Sequence, residues 1–151
     1  MFGTLPLNLR HDRAGMHLGA VSYNVNGARI LKESGGGITD FVHGLCKLIK
    51  RDRASVIGLQ DIFLNHEDDN KVLKQIRFQL ARYGWSFLFS SFTAADQASA
   101  SKDKSSKVTG RGVALLVPTA QLVKDSIVTD DSGYFIGCCL NCGREKVWVY
   151  S

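Results

Sequence analysis

The spacing of apolar and polar residues predicts helices and strands in a mixed order. Apolar residues recur every three or four positions from Ile38 to Ile49, which places them on one face of a helix. A second stripe of this kind, from Val72 to Tyr83, predicts another helix. Short apolar or alternating runs, which are typical of strands, occupy residues 17–24, 55–60, 85–89, 112–117, 122–128, 134–140 and 146–150.

This order of elements predicts an α/β fold, α+β in the wider sense, with a mixed sheet and two helices on one face. Residues 55–60 are apolar along nearly their whole length, so we expect that strand to be buried on both faces. Several predicted strands end in polar residues. Ligands of open α/β sheets bind beyond such strand ends, so we expect a functional site at one edge of the sheet.

Two segments show no apolar period. Residues 1–16 mix Gly, Pro and charged residues and predict a flexible leader. Residues 93–109 are rich in Ser, Ala and Lys and predict a mobile loop. The remaining chain, residues 17–151, has the length of one domain.

Composition favours an intracellular protein of the nucleus or cytoplasm. The 44% of apolar residues is ordinary for a globular chain, and no apolar run reaches membrane-spanning length. The first residues lack the apolar stretch of a secretory signal, and four Cys are too few for a disulfide scaffold. The net charge of +5 fits a polyanionic partner such as nucleic acid. We expect no membrane partner.

Polar residues that suit phosphate or metal chemistry follow two of the predicted strands. Asn24 and Asn26 flank a tight turn, and an Asn amide can donate to a phosphate oxygen. Asp61 follows an apolar strand, where a carboxylate is costly without a partner such as Mg²⁺. The residues alone leave another interpretation open, in which both Asn side chains make the turn and Asp61 caps a loop or pairs with a Lys.

Four short motifs together resemble the endonuclease/exonuclease/phosphatase superfamily, which includes apurinic/apyrimidinic endonucleases and retrotransposon-type endonucleases. SYNVNG (22–27) and IGLQD (57–61) look like the opening of its members. GRGVALLVP (110–118) resembles the family's Gly-Gly-Val-Ala strand, and VWVYS (147–151) the strand that bears its active-site Tyr. The resemblance implies half of a four-layered α/β sandwich in which two similar halves face each other.

The same resemblance implies Mg²⁺- or Mn²⁺-dependent hydrolysis of a phosphodiester in nucleic acid, with DNA favoured. Asn24 matches the family's Asn beside the attacking nucleophile, and Tyr150 matches the Tyr that contacts the scissile phosphate. Asn26 matches the second turn residue, near the metal. Asp61 falls where the family has a metal-binding Glu, and it is one methylene shorter.

The family's later Asp-x-Asn strand end and its Asp-His pair have no counterpart in this sequence. Loss of a general base alone typically lowers a rate by about 10²–10⁴. We therefore expect a truncated phosphodiesterase domain with weak or no nuclease activity and one uncovered apolar sheet face. Two alternatives stay open: a non-catalytic remnant that binds a protein, nucleic acid or itself through that face, and a phosphoinositide- or sphingolipid-phosphodiesterase-like fragment.

Basic residues in and after the Ser-rich loop are candidate contacts to a phosphate backbone, although a solvated loop is the default interpretation. They are Lys102, Lys104, Lys107 and Arg111.

Overall fold

Helices and strands follow one another largely as the apolar pattern predicts. The computed structural model describes residues 7–9, 18–25, 37–64, 69–91, 110–130 and 133–151. The elements in this part of the chain are β1 (Leu7–Leu9), β2 (Leu18–Asn24), α1 (Gly37–Asp52), β3 (Val56–Leu64), α2 (Asp69–Ala81), β4 (Trp85–Ser91), β5 (Gly110–Pro118), a 3-10 helix (Lys124–Ser126), β6 (Val128–Thr129), β7 (Ile136–Cys142) and β8 (Glu145–Tyr150).

The strands form two sheets. The larger sheet has the order β1-β2-β3-β5-β4, and the smaller one has the order β6-β7-β8. β2 and β3 run parallel, whereas every other pair in the larger sheet is antiparallel. The predicted α/β class and the mixed sheet are confirmed. Because β2 and β3 are parallel, their carboxyl ends meet at one edge, where Asn24 lies opposite Gln60.

Strands β3 and β5 of the larger sheet are buried on both faces. In β5, Ala114 and Leu116 belong to a core cluster that includes residues of α1 and α2. Their neighbours Val113, Leu115 and Val117 face the other way and belong to a second cluster. That second cluster includes residues of β7 in the smaller sheet. The chain is therefore layered as helices, larger sheet and smaller sheet.

The smaller sheet contributes a buried thiol to the second cluster. Cys138 of β7 is fully buried there. Burial, together with the neighbouring Cys139, raises the pKa of the Cys138 thiol to about 11. Cys138 is a free cysteine.

The helices fit the predicted apolar stripes. The stripe of α1 buries Phe41, Val42 and Leu45 against the larger sheet. In α2, Ile76 and Leu80 are the buried residues of the same cluster. Over the described ranges, neither helix combines the length and apolar character needed to cross a bilayer.

Two predicted segments differ from the structure. Residues Leu7–Leu9 lie in the segment predicted as a flexible leader, yet they form β1 and pair with β2. The strand predicted for residues 122–128 is wrong, since Lys124–Ser126 form a 3-10 helix and β6 begins only at Val128. The loop predicted for residues 93–109 lies outside the described part of the chain.

Side-chain hydrogen bonds explain why the predicted strand at 122–128 is broken. The hydroxyl of Ser126 accepts from the Cys139 N–H at 2.8 Å and donates to the Val123 carbonyl at 2.5 Å. The Val123 N–H donates to the Cys139 carbonyl at 3.0 Å. A Ser side chain that pairs with nearby backbone in this way competes with a regular strand ladder.

Two Gly→Ala substitutions distinguish a tightly packed site from an open one. A Cβ on Gly112 of β5 would lie 2.4 Å from the Ser90 carbonyl oxygen, whereas a Cβ on Gly44 of α1 would meet no atom within 4 Å. We expect Gly112→Ala to lower the free energy of unfolding by about 1–3 kcal/mol, as overpacking does. We expect Gly44→Ala to raise it by about 0.5–1 kcal/mol, because Ala favours a helix over Gly.

Urea denaturation of the wild type and both variants measures these changes. Equal effects of the two substitutions, or a stable Gly112→Ala variant, would contradict the close approach of β5 to β4.

Candidate functional site

The carboxylate predicted as a metal ligand lies on a bulge inside β3. Sequence predicts that this strand ends at Gln60, but β3 continues to Leu64 after a register shift between Leu59 and Ile62. Asp61, within the shift, has a φ of 56°, in the left-handed region. Asp adopts that region more readily than most residues. Bulges bend a strand and redirect a side chain, and they occur often beside functional sites.

A hydrogen bond joins two of the predicted site residues. Asn24 Nδ2 donates to Asp61 Oδ2 at 2.6 Å, although the residues are 37 positions apart in sequence. The parallel pairing of β2 with β3 makes this contact possible, since it sets Asn24 opposite Gln60. The Val25 N–H then donates to the Gln60 carbonyl at 3.0 Å and continues the pairing past the end of β2. Bonds to an ionised carboxylate are shorter and stronger than neutral ones.

A cavity of about 250 Å³ opens beside Asp61. It lies where the ends of the two sheets meet, because its lining comes from β3, from β5 and from residues next to β7 and β8. The lining residues are Gln60, Asp61, Gly112, Val113, Tyr134 and Ser151. Asp61 thus lines a partly open space at the junction of the two sheets.

Ser151 lines this cavity, and its hydroxyl has no hydrogen-bond partner among the described residues. Its Oγ is buried and makes no hydrogen bond within the described residues. The main chain of Ser151 is held firmly, since its N–H and carbonyl bond Ile136 at 2.9 and 3.1 Å. A buried polar group without a partner costs about 1–3 kcal/mol.

Sequence reasoning missed Ser151 and Tyr134 as site residues. The inward direction of Ser151 could have been predicted from the alternation of side chains along a strand, in which successive residues face opposite sides. Val149 packs on the core cluster between the sheets, so Ser151 points to the same side as Val149. Tyr134 carries no comparable signal, because it precedes β7 in an irregular segment.

The predicted phosphate-binding Tyr150 lies on the other face of the smaller sheet. It pairs with Gly137 across the strands, and 56% of the residue is exposed. Its ring stacks on Phe135 at 5.4 Å between centroids. It is not among the residues that line the cavity. The structure therefore brings Asn24 and Asp61 together but does not bring the Tyr150 ring to them.

The remaining predicted residues are only partly described. Asn26 and the predicted phosphate-contacting lysines lie outside the described residues; these lysines are Lys102, Lys104 and Lys107. Arg111 belongs to β5, where its main chain pairs opposite Phe63, and its side chain lies outside the described part. Their roles stay predictions.

A charged cluster fixes the strand position just before Asn24. The Tyr23 hydroxyl donates to the Asp52 carboxylate at the end of α1. Arg51 donates from Nη2 to the Tyr23 hydroxyl at 2.7 Å and from Nε to Asp52 Oδ1 at 2.7 Å. These hydrogen bonds, that from Arg51 first, lower the pKa of Asp52 to about 2. Burial, followed by the bond to Asp52, raises the pKa of Tyr23.

The donor set at Asp61 fits magnesium better than zinc. No group of three or more Asp, Glu, His or Cys side chains suited to a metal occurs among the residues that the structure covers. Zinc sites are usually built from three or four His, Cys or carboxylate ligands. Mg²⁺ is commonly held by one or two carboxylates, with waters and substrate phosphates as its other ligands. Asp61 supplies one such carboxylate, and Asn24 orients it.

The fold and site define a three-layered α/β protein with an Asn–Asp pair at one sheet edge. No model of a known protein family matches the chain, and no characterised protein matches it either. The resemblance to the endonuclease/exonuclease/phosphatase superfamily therefore stays a prediction that rests on the motifs.

The hydrogen-bonded group of Tyr23, Arg51 and Asp52 should make the stability of the protein depend on pH at low pH. Because the pKa of Asp52 is lowered from 3.8 to about 2, its stabilising contribution is present above pH 3.8 and is lost as pH falls towards 2. An NMR titration that follows the Asp52 carboxyl carbon should give a midpoint near 2.

Substitution of the partner tests the cause of this shift. Arg51→Gln should raise the Asp52 midpoint towards the ordinary value, because the largest cause of the shift is the hydrogen bond from Arg51. Lys50→Gln removes a neighbouring positive charge that does not contribute to the shift and serves as the control. An Asp52 midpoint that Arg51→Gln leaves unchanged would rule out this explanation.

Proposed function

We propose that the chain contains the first half of a Mg²⁺-dependent phosphodiesterase domain of the endonuclease type, with DNA as the favoured substrate. One observation carries the proposal: the 2.6 Å hydrogen bond between Asn24 and Asp61 beside a cavity. Each residue comes from one of the two motifs that resemble the superfamily. The motifs lie apart in sequence, and the fold places their polar ends in direct contact.

In this proposal Asp61 holds the cation and Asn24 fixes the direction of the carboxylate. Hydrogen bonds from outer-shell groups of this kind orient metal ligands and raise affinity for the metal. When bound, Mg²⁺ would stabilise the negative charge that develops on the phosphate oxygens. The Asn24–Asp61 bond occupies Oδ2 of the carboxylate, so Oδ1 would be the oxygen that holds the cation.

The hydroxyl of Ser151 supplies a donor to a phosphate oxygen. It is buried at the cavity and has no bond to another described residue. The cavity volume of about 250 Å³ is smaller than that of typical ligand pockets, whose volumes start at about 300 Å³. Its size suits a phosphate group, and the attached nucleosides would lie outside it.

The cavity offers little for proton transfer from an attacking water. Its described lining contains no His, and Asp61 is the one carboxylate in it. Asp61 is engaged by Asn24 and assigned to the cation. Absence of a general base typically costs about 10²–10⁴ in rate. We therefore expect slow turnover and an assay that needs high protein concentration.

The first test is Mg²⁺-dependent nicking of supercoiled plasmid DNA, with Asp61→Asn as the main variant. Asn also adopts left-handed backbone, so this change removes the charge and preserves the bulge. We expect the nicking rate to fall by about 10² or more, in line with the loss of one preorganised electrostatic group. Asp125→Asn, an exposed Asp of the 3-10 helix, is the matched control and should nick as the wild type does.

Two outcomes would contradict the proposal. One is nicking by Asp61→Asn at the wild-type rate. The other is a wild-type protein that is folded by circular dichroism, binds no Mn²⁺ by electron paramagnetic resonance and nicks no DNA.

The Asn24→Ala variant tests the orienting hydrogen bond. Loss of such an outer-shell partner typically weakens metal affinity or activity by about 10–100-fold. We expect a fall of that size in Mn²⁺ affinity, measured by electron paramagnetic resonance titration. Asn141→Ala, at an exposed position in β7, is the control. Unchanged Mn²⁺ affinity in Asn24→Ala would show that Asp61 needs no orienting partner.

A further inference from the structure

Three aromatic side chains form a stacked row on the outer face of the smaller sheet. Phe135 and Tyr150 lie 5.4 Å apart between ring centroids, and Tyr150 and Trp148 lie 6.1 Å apart. The planes are inclined by 27° and 10°, so the three rings are nearly parallel. This group of Phe135, Tyr150 and Trp148 is called the aromatic row below.

The aromatic row is accessible to solvent. Phe135 is 36% exposed, Trp148 49% and Tyr150 56%. Side chains alternate along β8, so Val149 faces the core between the sheets and its neighbours Trp148 and Tyr150 face outward. Large aromatic side chains dominate the energetics of interfaces, and a row of three at the surface marks a binding surface.

A cationic end accompanies the row. Lys146 lies two positions before Trp148 on β8 and therefore on the same face, and it is exposed. Arg144, in the turn that precedes β8, is also exposed. The nearby acids are placed differently. Glu145 alternates to the opposite face of β8, and the Asp130 carboxylate accepts a hydrogen bond from the Phe135 N–H at 2.9 Å.

From this geometry we propose that the aromatic row binds single-stranded nucleic acid. Proteins that bind single strands combine positive charge along the backbone path with aromatic rings on which bases stack. A base stacked on Trp148 continues the row and lies on the same face as Lys146, whose ammonium meets a phosphate. The net charge of +5 favours approach of a polyanion.

The row is suited to unpaired bases and not to a duplex. Bases in a duplex already stack on one another, so surface rings reach them only at an end. Stacking on rings also tolerates any base, because every base has a π face. The partner is therefore defined by single-strandedness and charge, and sequence preference should be weak.

This inference does not depend on the proposed hydrolysis. The aromatic row shares no residue with Asn24, Asp61 or the cavity that Asp61 lines. Binding to the row needs no metal ion. Measurements in EDTA therefore separate the two proposals.

The test measures binding of a fluorescein-labelled oligothymidylate by fluorescence anisotropy in EDTA. About twelve nucleotides fall within the site sizes known for such surfaces. Trp148→Ala should weaken binding about tenfold or more, as loss of one stacking ring does. Phe78→Ala is the matched control, because Phe78 is an aromatic residue of α2 that is 69% exposed. Phe78→Ala should bind as the wild type does.

A second variant tests the charge and keeps the proposal testable if Trp148→Ala folds poorly. Lys146→Ala should lower the slope of log K against log salt by about 0.7, the value for one phosphate contact on a single strand. A duplex of the same length should bind more weakly than the single strand.

Several results would overturn the inference. Equal binding by Trp148→Ala, equal affinity for duplex and single strand, or an unchanged salt slope in Lys146→Ala would each do so. So would sedimentation velocity that shows a dimer dissociated by Trp148→Ala, together with no oligonucleotide binding. That last result would assign the aromatic row to contact between two copies of the chain.

Discussion

The parallel pairing of β2 with β3 is the constraint on which the rest of the structure depends. A parallel pair needs a long crossover, and the chain supplies it through α1, which then covers one face of the sheet. The smaller sheet covers the other face of β3, so residues 56–59 are buried on both sides, which explains why they are apolar. The same pairing places the carboxyl ends of both strands together. The Asn24–Asp61 contact thus follows from this topology together with the bulge at Asp61.

The agreement between sequence and structure is greatest where signals are local. The stripe from Ile38 to Ile49 repeats over several turns, and α1 follows it from Gly37 to Asp52. The segment 122–128 has apolar residues at both ends, as a strand could, but the hydroxyl of Ser126 bonds β7 and breaks the strand. Whether that hydroxyl finds a backbone partner depends on where β7 lies. A pattern within seven residues contains no such information.

The same distinction applies to the site. The proximity of Asn24 and Asp61 is predicted from sequence, because each follows a predicted strand and such strand ends meet at one edge of the sheet. Ser151 is missed because its burial depends on how the smaller sheet packs on the larger one, which is a long-range arrangement. Tyr150 is similar to a family residue by motif, yet its ring faces outward because Val149 occupies the inner position. A motif fixes the residue type, whereas the direction of the side chain follows from strand parity.

The buried thiol of Cys138 has a consequence for how the two sheets can be followed in solution. A thiol reacts as its thiolate, and a pKa of about 11 leaves almost none of that form at neutral pH. Cys138 is also closed off from reagents while the smaller sheet covers the larger one. Alkylation at this position therefore requires the layers to separate. The rate of alkylation at Cys138 therefore reports how often the two sheets separate by local unfolding.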